Sequence, residues 1–193
     1  MADIARAAPM KVDSLFRICS MTKPITSVLV LMLAEEGKLS IDDPVARHLP
    51  EFAATAVHNG SAAFPPETVP AQRPVTVRDL LRHSAALPCM SPLPDPVARM
   101  YVQRGIDHGG GHKIAPADGS APVASLAELS QRIAALPMAA QPGTRITYGN
   151  ATDVLGRLVE VVAGQPFRAS CNCCCSAGSP TASRCCAATR CRR

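Results

Sequence analysis

Apolar residues recur along this chain in helical blocks separated by breaks rich in proline and glycine. The first block, residues 20–38 (SMTKPITSVLVLMLAEEGK), is apolar nearly all round through its middle. Proline is tolerated in a helix only where its missing N–H had no partner, in the first turn, so Pro24 requires this helix to begin at Ser20 or Met21. Gly37 and Lys38 end it, and a helix without a polar face belongs at the centre of a domain. Residues 39–52 read as a turn with a short helical piece, and the proline-rich residues 59–75 as a loop. Thr76 with Asp79 three positions on has the capping-box pattern and predicts a short helix through Leu80 and Leu81. Residues 107–122, rich in Gly, Ala and Pro, form a second irregular stretch. Ser125 and Glu128 repeat the capping-box pattern before a helix with Leu126, Leu129, Ile133 and Leu136 on one face, closed by Pro137. After a Pro-Gly turn, residues 145–148 read as a short extended run. Asn150, with Asp153 at the third position, then caps a helix whose buried stripe is Val154, Leu155, Leu158, Val159 and Val162 and whose end is Gly164. Other strand-like text is confined to residues 2–4 and 16–18, and no internal repeat appears.

Composition adds a division that the periodicity does not show. The chain has 193 residues, 47% hydrophobic and 18% charged, which fits an ordinary globular protein. With no Trp, two Tyr and four Phe, its core must be aliphatic, and a base-stacking surface for nucleic acid is not expected. The net charge of +5 lies wholly beyond Phe167, because Arg168, Arg184, Arg190, Arg192 and Arg193 stand in a stretch without Asp or Glu. The cysteines divide at the same place, with only Cys19 and Cys89 before it. Residues 1–167 therefore read as one domain, and residues 168–193 as a disordered Cys/Arg-rich tail of different origin. The opening residues lack the apolar stretch of a signal peptide, so a cytoplasmic location is expected. The longest apolar run, residues 25–34, falls short of the roughly 20 residues that span a bilayer.

Ser20 and Lys23 are the first candidates for chemistry. Three positions apart on a first helical turn, they share a face, with the serine over the helix's positive end. A serine hydroxyl is a weak nucleophile until a base takes its proton, and a lysine with a lowered pKa can do so. His83 reads as a helix-end histidine rather than a catalyst. The His108-Gly-Gly-Gly stretch has no G-x-S-x-G partner elsewhere, and His108 and His112 lack the acidic residue of a zinc helix, so a flexible loop is the reading there. Cys171 and Cys174 have C-x-x-C spacing, but no second pair and no histidine follow, which argues against a zinc site. No metal or other cofactor is expected.

The residues around Ser20, FRICSMTKPITSVLVLMLAEEGKLSIDDPVARHLPEF, resemble the active-serine region of the serine β-lactamase-related superfamily: class C β-lactamases, penicillin-binding carboxypeptidases and family VIII esterases. The likeness continues through VTVRDLLRHSAALP and PGTRITYGNATDVLGRLVEVVAG, and covers roughly residues 8–167. It implies an α+β fold, the helical domain of a β-lactamase or penicillin-binding protein with an incomplete antiparallel sheet. It also implies roles: Ser20 the acylated nucleophile, Lys23 its activating partner, Tyr148 the phenol that moves protons, and Asn150 a hydrogen-bond partner of substrate or of Lys23. Read from the residues alone, Asn150 equally suits an N-cap and Tyr148 a packed strand residue. Lys23 and Tyr148, if close, titrate as a coupled pair.

The same resemblance marks departures. The family's Lys-Thr-Gly or His-x-Gly motif, on a late strand beside the nucleophile, has no counterpart in these residues. Cys19 stands where the family often has alanine, a small apolar exchange that should be tolerated. Ala85-Ala86 stand where it has a serine-glycine-like pair, and a turn that needs positive φ penalises the second alanine. The cysteine-rich text after Phe167 is what a one-base frame shift makes of leucine-rich helix codons, so a strand-encoding frame is expected downstream. The resemblance implies a serine hydrolase acting through an acyl-enzyme on a β-lactam, a D-alanyl peptide or a small ester. The alternative is a catalytically inactive fragment. The expected partner is a small-molecule ester or amide, with neither nucleic acid nor membrane involved.

Overall fold

The computed structural model describes residues 9–12, 18–89, 95–106, 119 and 122–175. Most of residues 2–4 and 16–18, the His108 stretch and residues 176–193 lie outside the described residues.

Helix α1 (Thr22–Glu35) follows a 3-10 turn at Cys19–Met21, so Pro24 falls in the first turn as its missing N–H requires. The helix is not enclosed on all sides. Thr26, Leu29, Val30 and Leu33 are buried, while Val28, Leu31 and Met32 remain exposed. The expectation of a fully buried helix thus holds for one face only, because the described neighbours α5 (Ala151–Ala163) and α6 (Phe167–Cys175) lie along that face.

Two 3-10 turns, Val45–Arg47 and Pro50–Phe52, make up the short helical piece after α1. Residues 59–75 are not all loop. β1 (Ala56–His58) and β2 (Thr68–Pro70) pair antiparallel, with Val57 opposite Val69. Met138 extends this ribbon on its other edge, donating to the Ala56 carbonyl and accepting from the His58 amide at 2.8 Å each. Proline-rich text concealed β2 because Pro70 stands at its end, where a missing donor is harmless.

α2 (Val77–Leu81) begins with the full capping box: Thr76 Oγ1 accepts from the Asp79 amide, and the Asp79 carboxylate accepts from the Thr76 amide at 3.0 Å. Asp79 is buried, and burial alone would push its carboxyl pKa up. Bonds from Arg73, from the Thr76 amide and hydroxyl and from Ser84 outweigh this and hold it down at about 2. The helix closes in a Schellman motif, with the His83 amide on the Leu80 carbonyl and the Ser84 amide on the Asp79 carbonyl.

α3 (Pro96–Gln103) has no counterpart in the expected elements. Its signal was present: Asp95 caps it, accepting from the Val97 and Ala98 amides, and Pro96 occupies the first helical position. In α4 (Leu126–Ala134) Ser125 accepts from the Glu128 amide, but the Glu128 carboxylate takes the Ala124 amide rather than that of Ser125. Only half of the expected box therefore closes.

α5 is the hub, packing against α1, α2, α4 and α6. Its stripe of Val154, Leu155, Leu158 and Val159 is buried, and Gly164 closes it at φ +66. α6 crosses the boundary expected at Phe167. Phe167 and Cys171, one turn apart, pack on the core, and Ser170 is buried, so residues 168–171 belong to the folded body. With its helices and a small antiparallel ribbon the fold is α+β. No helix among the described residues is long and apolar enough to cross a membrane.

Candidate active site

Ser20 lies in the 3-10 turn that leads into α1, directly after Cys19, whose φ of +46 is in the left-handed region. The turn lifts Ser20 to the surface at the amino end of α1, where unpaired N–H groups and the helix dipole favour developing negative charge. Lys23 is half-buried one turn further on.

Tyr148 comes from the other end of the chain. Residues 145–148 form no strand among the described residues. Instead the stretch from Met138 to Asn150 is stitched to the turn after α2: the Ala139 amide donates to Ala86, the Gly143 amide to Ser84 and the Thr147 amide to His83. Ala86 sits at φ +52, wholly buried, so the turn requires the positive φ for which a glycine had been expected. Gly149 is pressed against the same turn, where a Cβ would lie 2.3 Å from the Leu87 carbonyl oxygen and 2.5 Å from the Cys89 amide nitrogen. Only a glycine fits between Tyr148 and Asn150. Asn150 stands at the N-cap of α5 but its side chain caps nothing; its amide donates to the Pro88 carbonyl, and its buried Oδ1 has no hydrogen-bond partner among the described residues.

These two supports bring three of the four expected residues together. Ser20 Oγ and Tyr148 Oη are 2.8 Å apart, a hydrogen bond, and Lys23 Nζ lies 4.6 Å from the centre of the Tyr148 ring. The Lys23 ammonium beside the phenol is the main reason that its pKa is lowered. The Ser20 bond acts in the same direction, while partial burial and Cys89 oppose them. Tyr148, 53% exposed, is thus the centre of the cluster, an acid-base group in contact with a hydroxyl that can be acylated. Asn150 does not join it, its amide being committed to the turn. The cluster also has a member that the sequence did not reveal in that role. The His83 ring stacks on Tyr148 with centroids 5.0 Å apart and planes at 27°. Its neighbours marked His83 as a helix-end residue, which it is, and nothing local to it pointed 65 residues onward.

The family described as Beta-lactamase matches residues 1–172. Among curated relatives, an uncharacterized protein of Mycobacterium tuberculosis is 37% identical over 165 residues, 86% of this chain and 37% of that protein. Esterase EstB of Burkholderia gladioli is 34% identical over 170 residues, 88% of this chain and 38% of the esterase. Among solved structures, EstCE1, described as a hydrolase with promiscuous acyltransferase activity, superposes with a TM-score of 0.66 at 28% identity, over 89% of this chain and 39% of its own. This chain therefore spans well under half the length of the relatives it matches.

Proposed function

The chain belongs to the β-lactamase family, and we propose that it carries the nucleophile and proton-transfer groups of a serine acyl hydrolase acting on small esters. The observation that carries this reading is the 2.8 Å contact between Ser20 Oγ and a phenol whose pKa Lys23 holds down. Similarity to esterase EstB favours an ester over a β-lactam or a D-alanyl peptide.

In the proposed reaction the ionised Tyr148 takes the Ser20 proton as Oγ bonds to the ester carbonyl carbon. The tetrahedral intermediate collapses with cleavage of the bond to the alcohol oxygen, which leaves with the proton from Tyr148. Water then gives a proton to Tyr148 and attacks the acyl-enzyme, and that proton returns to Ser20 as the acid departs. Lys23 favours the phenolate throughout. Asn150 acts by fixing the Tyr148 loop to the turn at residues 83–89.

A fluorophosphonate probe with peptide mapping tests the assignment. Label is expected on Ser20, absent in Ser20→Ala and reduced about 100-fold or more in Tyr148→Phe, the scale of a lost general base. Because the base is the ionised phenol, labelling should rise with pH through its titration, and Lys23→Met should move that rise to higher pH. A folded protein that leaves Ser20 unlabelled overturns the proposal. Labelling without ester turnover would favour a second reading, acylation without completed catalysis.

A further inference from the structure

We propose that His83 is a positioning residue for Tyr148, its imidazole serving as the platform that holds the phenol oxygen against Ser20. The inference rests on the Ser20–Tyr148 reading above and adds a residue to it. Two independent observations support it. The first is the stack itself, with centroids 5.0 Å apart and the rings 27° from parallel. Tyr148 lies on a stretch with neither helix nor strand pairing and is half exposed, so its ring depends for its torsions on the few side chains that reach it. The groups facing it are Ser20 and Lys23 from the start of α1, Cys89 and His83. Of these, only His83 offers a flat surface, and its backbone is tied to the tyrosine's neighbour by the Thr147 amide on the His83 carbonyl at 2.8 Å.

The second observation is the backbone on which that ring is carried. His83 is the residue after the C-cap of α2, at φ +55, in a Schellman motif with both of its defining hydrogen bonds present. Glycine is the ordinary occupant there, because a Cβ is disfavoured at positive φ. Histidine tolerates this region better than most side chains but still less well than glycine, and here its ring lies under the phenol. A local rule broken at a site residue points to what the side chain does.

Two substitutions separate the ring from the backbone. His83→Gly keeps the turn and removes the ring; His83→Phe keeps a ring and leaves the turn strained. One readout needs no turnover. With no Trp and only Tyr101 and Tyr148, alkaline titration of near-ultraviolet tyrosinate absorbance resolves the two, because Tyr101 is wholly buried and its pKa is pushed up while that of Tyr148 is lowered. His83→Gly should leave Tm unchanged or higher, move the Tyr148 midpoint up towards the ordinary value of about 10, and slow fluorophosphonate labelling at Ser20 about 10-fold or more. His83→Phe should lower Tm yet keep the midpoint and stay within about 3-fold of the parent labelling rate. The proposal is overturned if the glycine variant titrates as the parent does, or if the phenylalanine variant shifts as far as the glycine variant. Were Ser20 unlabelled even in the parent protein, the hydrolase reading would fail, while the titration would still decide whether His83 positions the phenol.

Discussion

Gly149 shows how closely single atoms set this site. Replacing it with alanine puts a methyl group into the backbone of residues 87–89, a clash no rotamer relieves. Gly149→Ala is expected to destabilise by about 1–3 kcal/mol and, by displacing Tyr148 from Ser20, to slow Ser20 labelling about 100-fold. Urea unfolding and probe kinetics on the same sample would check both; an unchanged labelling rate would mean that the loop does not depend on this contact. At this scale the sequence was informative where chemistry repeats a pattern. That Ser20, Lys23 and Tyr148 lie together was legible through the family resemblance, and Ala86 was legible as a residue in the place of a glycine. The reason for Gly149 was not, because a close approach between segments 60 residues apart leaves no mark in either segment. Asn150 was half legible: its position at the helix start was right, but its hydrogen bond goes to Pro88.

Among the elements, α2 has the strongest local specification. Asp79 accepts from Arg73 at 2.6 and 2.9 Å, from Thr76 and from Ser84, so one carboxylate ties the helix start to the turn that bears His83. Its folded pKa of about 2 lies below the unfolded value of 3.8. The resulting stability, about 2 kcal/mol, is fully present above the unfolded value and is lost as pH falls from about 4 to about 2. Asp79→Asn should therefore be less stable at neutral pH and show a flatter acid limb in denaturant melts between those values; an unchanged limb would place the acid sensitivity elsewhere. Capping boxes could be read because their partners lie three residues apart. β2 and the unpaired stretch at residues 145–148 could not, because pairing is decided by what lies alongside, and a short extended run reads the same whether or not a partner strand is present.

For the whole molecule, apolar composition pointed to α1, the most uniformly apolar segment, as the centre, whereas the described body is organised around α5. Apolar composition reports that a helix can be covered, and its neighbours determine which face is. Leu158, fully buried in α5, tests the arrangement: Leu158→Ala should cost about 2–5 kcal/mol with cooperative unfolding retained, and a loss below about 1 kcal/mol would mean that α5 is not the hub. The same arrangement carries α6 across the compositional change at Phe167, since the helix reaches its neighbours through Phe167 and Cys171 whatever the charge of the residues between them. There is also a kinetic consequence. Ser20 and Tyr148 are 128 positions apart, while the caps of α2, α3 and α4 close over three residues or fewer. Contacts of such long sequence separation form late, after the loop-closure entropy has been met. During refolding, helical circular dichroism should return before the serine becomes reactive, so the onset of probe labelling would time the last stage of chain assembly.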